Sequence, residues 1–179
     1  MHDFSSILEK LRLAQLNFLR AADTVDSSFW LTSHKTGCWS AAELVAHLCQ
    51  VERGVLAYAD RVIRKEPLPV PYYQRFHLPL FMVEMRLIRR KTPSPLDPEL
   101  LSGKETMLAE LRGVREHTFA FLEETKGRDL VAYYWPHPFL GRLNFYEWFV
   151  MVASHEIRHT GQMAEISKNL PNRVATSLS

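Results

Sequence analysis

Apolar residues recur at three- and four-residue steps along most of the chain, a spacing typical of amphipathic helices. The first such run predicts a helix from about residue 4 to residue 22, with apolar positions at Phe4, Ile7, Leu8, Leu11, Ala14, Phe18 and Ala22. A second helix begins after Ser40, because Ser40 and Glu43 form the Ser-x-x-Glu pattern of a capping box. Helical spacing continues to about Lys65, and Pro67 ends the helix.

The stretch from 66 to 98 is rich in proline, with Pro67, Pro69, Pro71, Pro79, Pro93, Pro95 and Pro98. We interpret it as a long connection in which only residues 80–90 form a short helix. Helical spacing resumes over residues 99–126, and Gly127 is suited to close that helix.

Residues 129–142 hold two prolines and a glycine among aromatic side chains, and we predict a loop there. Asn144 is a good N-cap for a last helix over about 145–169, which Pro171 follows. No segment shows convincing strand alternation. The expected fold is all-α: a four-helix bundle, formed as one domain over residues 1–179, with a long proline-rich connection carrying a short extra helix.

Composition narrows the class of protein further. The chain has 179 residues, 46% hydrophobic and 23% charged, with a formal net charge of +2. This balance is ordinary for a globular domain and gives no argument for nucleic-acid binding. We expect no membrane span and no signal peptide, because no apolar run is long enough. Two cysteines are too few for a disulfide scaffold, so we expect reduced thiols and a cytoplasmic protein.

Two histidines stand in the apolar stripe of the last predicted helix. At about 100° per residue, His155 and His159 fall on the same face as Trp148, Val152, Met163 and Ile166. Being four residues apart, the two imidazoles lie one turn from each other and can chelate one divalent metal ion. The alternative is that both are core side chains that find hydrogen-bond partners within the protein.

A third histidine, His47, lies near the face of the second helix that carries Leu44 and Val51. If the second and last helices are neighbours, His47 points at the same interior position. Three nitrogen ligands with an open fourth position are typical of a catalytic rather than a structural zinc-type site. For His47 too, the alternative is an ordinary core histidine.

A second metal hypothesis comes from residues 155–159, which match the His-Glu-x-x-His pattern of zincins with Glu156 as general base. That class needs a third ligand, and Glu165 could supply it only if the helix broke at Gly161. Because the apolar stripe continues past Gly161, we do not favour a metalloprotease. We interpret Glu156 as a boundary or outer-shell residue.

Two segments together resemble the DinB-like superfamily, four-helix-bundle metalloproteins that include the YfiT-type metal-dependent hydrolases. The first is Trp39-Ser40-x-x-Glu43-x-x-x-His47-Leu48. The second runs through His137-Pro138-x-x-Gly141 and Glu147-Trp148 to His155-x-x-x-His159-x-x-Gln162. The resemblance implies a helical bundle whose metal ligands are His47, His155 and His159. It also implies a homodimer and a range of activities, among them thiol S-transfer and thiol-dependent isomerisation.

Several further residues have two open interpretations. Glu43 either completes the capping box, which we favour, or orients His47 by accepting its second ring N–H. Glu52 is either a surface residue or a salt-bridge partner. Gln162 lines the pocket or is a core amide. Cys49 lies about 200° around the helix from His47, so we expect no Cys/His nucleophile.

The aromatic loop of Tyr133, Tyr134, Trp135 and Phe139 either roofs a pocket or, as we favour, anchors the loop to the end of the bundle.

The leading hypothesis is a metal-dependent enzyme. One divalent ion, zinc or nickel, would activate water or a thiol for hydrolysis or thiol transfer on a small molecule, with a low-molecular-weight thiol as a possible co-substrate. The alternative is a non-enzymatic helical module that binds a partner or dimerises, with the histidines as a structural or vestigial site.

Overall fold

The computed structural model describes residues 4–75, 77–84 and 101–170. Its helices are α1 (Phe4–Asp23), α2 (Ala41–Ile63), the single turn α3 (Phe81–Glu84), α4 (Lys104–Glu124) and α5 (Phe145–Asn169). Two short strands, β1 (Tyr134–His137) and β2 (Gly141–Asn144), precede α5. The fold is the predicted all-α bundle, with a small hairpin added.

The four long helices pack through the faces that their apolar residues predict. α1 lies along α5, and α2 contacts both α4 and α5. Buried side chains between these helices include Leu11 and Phe18 of α1, Leu44 of α2, Leu111 of α4 and Phe149 of α5. The contact between α2 and α5 matters most for function, since it brings the helix of His47 against the helix of His155 and His159.

The hairpin corrects the prediction of a loop without strands. β1 and β2 are antiparallel, and Trp135 pairs with Leu143. Both of these side chains are buried against the bundle, whereas Pro136 and Arg142 form the next pair along the ladder. Four-residue strands, one of them containing proline, are too short to show a readable alternation in the sequence.

Two boundaries also differ from those predicted. α4 begins at Lys104 after Gly103, rather than at residue 99, and ends with Thr125 as its cap. Gly127, the predicted cap, has a φ of 83° and lies in the turn that follows. Of the short helix predicted over 80–90, the structure shows Phe81–Glu84, while residues 85–90 lie outside the described residues. Pro93, Pro95, Pro98 and Pro171 lie outside them as well.

Within these described ranges, no helix combines the length and the hydropathy that crossing a lipid bilayer would require.

Candidate metal centre

His47 is placed by a well-capped helix. The Ser40 hydroxyl accepts a hydrogen bond from the Glu43 backbone N–H, and the Glu43 carboxylate accepts one from the Ser40 N–H at 2.7 Å. This confirms the capping interpretation of Glu43, whose carboxylate also accepts from the Ser40 hydroxyl. The Trp39 ring lies 4.9 Å from the His47 ring, so the residue before the cap covers the site.

α5 also begins with a capping box. Asn144 and Glu147 form a reciprocal capping box, as the N-cap prediction for Asn144 anticipates. The helix then continues without interruption through Gly161 to Asn169. His155 and His159 therefore keep the one-turn spacing that the sequence predicts, and Glu165 is not brought to them.

The three predicted ligands come together in the structure. Nε2 of His155 lies 3.2 Å from Nε2 of His47 and 3.0 Å from Nε2 of His159. One nitrogen from each ring lies within 4.8 Å of the others. His47 and His159 are 7% and 5% exposed, while His155 is partly exposed. The side chains of two helices thus aim three nitrogens at one point.

This donor set fits a metal ion better than it fits a hydrogen-bonded cluster. Three Nε2 atoms share one small space, and a single N–H on His155 can satisfy only one of its two neighbours. Tetrahedral zinc holds imidazole nitrogens at about 2.0–2.1 Å, which places them roughly 3.3 Å apart, close to the two separations that Nε2 of His155 makes with its neighbours. The ligand role of these residues stays a prediction.

The pKa values of the histidines suit a metal site as well. Burial lowers the pKa of His47 to about 4. Burial also holds the pKa of His155 well below its ordinary value, and the charges of His159, His47, His137 and Arg158 lower it further. Neutral imidazoles at pH 7 keep the lone pairs that a cation requires.

Gln162 gives His159 a second contact, one turn further along α5. Nδ1 of His159 donates to Oε1 of Gln162, because an amide oxygen only accepts. The proton therefore sits on Nδ1, and Nε2 presents its lone pair to the cluster. A partner on the other ring nitrogen fixes the orientation of a metal-binding imidazole. Of the two interpretations of Gln162, this contact favours the role at the site.

Glu156 points away from the histidines and contacts Arg115 instead. It therefore cannot act as the general base that the zincin hypothesis requires. It is 1% exposed, and Arg115 Nη2 donates to its Oε2 at 2.9 Å. Burial raises the pKa of Glu156 to about 7; the Arg115 charge opposes this and the Glu52 charge adds to it. The interpretation of Glu156 as a boundary residue is wrong, because its side chain lies in the core between α5 and α4.

Arg115 is a buried charge that the sequence pattern did not predict. It is 1% exposed, and it donates from Nε and Nη2 to both oxygens of Glu52 at 2.7 and 3.0 Å. Glu52 is thus a salt-bridge partner, as one interpretation held, and the surface interpretation is wrong. Thr118 adds a hydrogen bond to Glu52 at 2.6 Å. The only sequence signal was that Arg115 falls at a helical core position of α4.

The hairpin anchors to the bundle through stacked aromatic rings. Trp135 stacks on Trp148 of α5 at 5.2 Å and on Tyr58 of α2 at 5.6 Å between ring centroids. Trp148 donates from Nε1 to the Trp135 carbonyl at 3.3 Å. These contacts support the anchoring interpretation of the aromatic segment.

Cys49 is not a nucleophile for this site. Its thiol is buried, and burial, followed by the charge of Glu110, raises its pKa to about 12. It lines a small cavity of about 170 Å³ with Ala46, Gln50, Arg53 and Glu110, residues of α2 and α4 rather than of the histidine cluster.

The family model described as the DinB superfamily matches residues 10–163, a span that includes all three histidines. Neither the curated proteins nor the solved structures yield a significant match to this chain.

Proposed function

Since the chain belongs to the DinB superfamily, we propose that it is a metal-dependent enzyme whose divalent ion is held by His47, His155 and His159. The observation that carries the proposal is the convergence of three Nε2 atoms, at 3.0 and 3.2 Å from the central His155, from two separate helices. Zinc or nickel suits an all-imidazole site.

Three protein ligands leave a fourth position for water or substrate. A metal at this site would supply Lewis acidity that lowers the pKa of a bound water or thiol. The protein's own contribution is to keep His47 and His155 neutral and to fix the three imidazole rings. Gln162 orients His159, Trp39 covers the rings of His47 and His159, and the two capping boxes fix the starts of the helices. The proposed reaction is hydrolysis or thiol transfer on a small molecule.

Elemental analysis of untagged protein, purified without chelators or a nickel column, tests the proposal. We expect about one equivalent of zinc, nickel or a similar ion, and then activity in a screen of thiol-transfer and hydrolysis substrates. His159→Ala should lose the ion, because two imidazoles chelate far more weakly than three. His117→Ala is the matched control, since His117 is exposed on α4.

Protein that contains no ion and takes up none on addition would contradict the proposal. It would instead favour the non-enzymatic binding module. An ion that persists at full stoichiometry in His159→Ala would overturn the ligand assignment. The homodimer stays a prediction for gel filtration.

A further inference from the structure

Two stretches of the chain are almost without charge. Residues 67–83 and 130–141 together contain a single Asp, Glu, Lys or Arg, namely Arg75, although 23% of the whole chain is charged. The first stretch runs from the connection after α2 into α3, and the second contains β1 and the turn that follows it. Charged side chains normally lie on the surface of a globular protein, and their depletion from a surface is typical of an interface.

Large apolar side chains are exposed in the same two stretches. Six of them form what we call the apolar patch: Leu68, Tyr72, Tyr73, Leu78, Phe81 and Phe139. Leu68 is 81% exposed, and the adjacent Tyr72 and Tyr73 are 74% and 73% exposed. A concentration of exposed aromatic and aliphatic side chains in uncharged segments indicates a surface that another molecule covers.

The two stretches lie side by side. The backbone N–H of Leu78 donates to the Leu140 carbonyl at 3.1 Å. Further back along the connection, Leu68 and Val131 line the same cavity of about 250 Å³. The connection therefore contacts the hairpin segment at both of its ends, so the apolar patch belongs to one end of the bundle.

This end of the bundle is remote from the histidine cluster along α2. The connection follows Ile63, the last residue of α2, which is about 24 Å along the helix axis from His47. The apolar patch is therefore a separate feature from the candidate metal centre.

The area of the apolar patch suits an interface between proteins. Taking about 200 Å² for an aromatic side chain and about 100 Å² for a leucine, the exposed fractions give roughly 600 Å². That is the upper limit for the largest apolar patch on an ordinary monomer. Two such patches face to face would bury roughly 1,200 Å², which is enough for a specific interface.

A second copy of this chain is the partner that fits an uncharged surface. In a two-fold symmetric dimer a patch meets itself, so charges of one sign within it would repel each other. The single cation, Arg75, already donates to the Val70 carbonyl at 3.0 Å and lies over the Tyr134 ring. An anionic membrane would instead require several basic residues in these stretches.

We propose that the apolar patch is a self-association surface through which two copies of this chain form a two-fold symmetric dimer. The proposal does not depend on the metal centre.

Sedimentation velocity of the full chain over a wide range of concentrations tests the proposal. We expect a reversible change from the 20.8 kDa monomer to twice that mass as the concentration rises. Tyr73→Asp and Phe81→Asp should each weaken the dimer about tenfold or more, because a carboxylate without a partner would be buried at two symmetric positions. Leu16→Asp is the matched control, since Leu16 is exposed on α1 outside the apolar patch, and it should leave the dimer unchanged.

Wild-type protein that stays at 20.8 kDa at every concentration overturns the proposal, whatever else binds the apolar patch. A dimer that both patch variants keep, or that Leu16→Asp weakens as much as they do, overturns it too, because the copies then meet through another face. Metal content measured on the same samples should be equal in all four proteins, so a failure of this proposal is distinct from a failure of the metal site.

Hydrogen–deuterium exchange of the wild-type protein covers the case of a variant that fails to fold. We expect residues 67–83 and 130–141 to exchange more slowly at high protein concentration than at low concentration, and α1 to exchange equally at both. Exchange that is independent of concentration in these two stretches overturns the proposal.

Discussion

At the scale of single residues, the buried guanidinium of Arg115 on α4 forms hydrogen bonds with each of the other three long helices. Besides Glu52 and Glu156, it donates from Nη1 to the Leu11 carbonyl of α1 at 2.5 Å. Glu52 follows His47 on α2, and Glu156 follows His155 on α5, so the ion pairs tie together the two helices that carry the three clustered histidines. One oxygen of Glu156 has no partner in the part of the chain that the structure describes. The network is therefore costly to disturb.

We predict that Arg115→Met lowers the free energy of unfolding by about 3–5 kcal/mol, because two buried carboxylates lose their cation. Urea denaturation at pH 7 measures this change. Arg112→Met is the control, since Arg112 is exposed on the same helix, and it should change stability by less than about 0.5 kcal/mol.

The triple variant Glu52→Gln, Arg115→Met, Glu156→Gln should be more stable than Arg115→Met alone, because it leaves no charge unpaired in the core. Equal stability of Arg115→Met and wild type would show that the network does not hold the helices together.

At the scale of elements, an ion pair ties the connection between α2 and α3 to the start of α5. His77 bridges to Gly141, and its Nε2 lies 3.0 Å from Oε1 of Glu147, the capping residue of α5. Its Nδ1 contacts the Leu78 carbonyl at 2.8 Å. Burial lowers the pKa of His77, but these two acceptors raise it more, so the pKa lies above its ordinary value.

This pair predicts a particular pH dependence. Because the folded-state pKa is raised, the contribution of His77 is fully present below about pH 6.5 and is lost as the pH rises through the folded-state pKa. Wild type should therefore exceed His77→Gln in free energy of unfolding by up to about 1 kcal/mol near pH 6, and by less near pH 8.5.

Urea denaturation of both proteins between pH 6 and 8.5 measures the difference in their free energies of unfolding. Because the other titratable groups are the same in both proteins, their contributions to this difference cancel. A difference that stays constant or grows with pH would contradict the assignment of the raised pKa to His77.

At the scale of the whole molecule, the proposed metal ion would link α2 to α5. His47 comes from one helix, and His155 and His159 come from the other, so a bound ion favours the state in which the two helices are packed. An ion that binds only the folded state stabilises it by mass action.

We predict that zinc at a hundredfold excess over its dissociation constant stabilises the apoprotein by about 2.7 kcal/mol. For a chain of this size that is a rise in Tm of roughly 5–10 °C. Differential scanning calorimetry with and without a chelator measures it. His159→Ala should show no such rise, and an equal rise in that variant would place the ion elsewhere.

Much of the fold could be predicted from the sequence, because helix periodicity and caps are local. α1 and α5 match their predicted spans to within a residue or so, and both the Ser40 and the Asn144 caps form as expected. The pair His155 and His159 is also a local feature, set by one helical turn. These properties depend on neighbours within four residues along the chain, and the sequence states those neighbours directly.

Tertiary structure alone decided which side chains meet across helices. The approach of His47 to His155 depends on α2 packing against α5, which no local pattern specifies. The same holds for Arg115 with Glu52 and Glu156, and for the hairpin, whose two short strands are stabilised by the stacking of Trp135 on other elements. Periodicity identifies the face that a helix buries, whereas the partner of that face is chosen by the packing of the whole bundle.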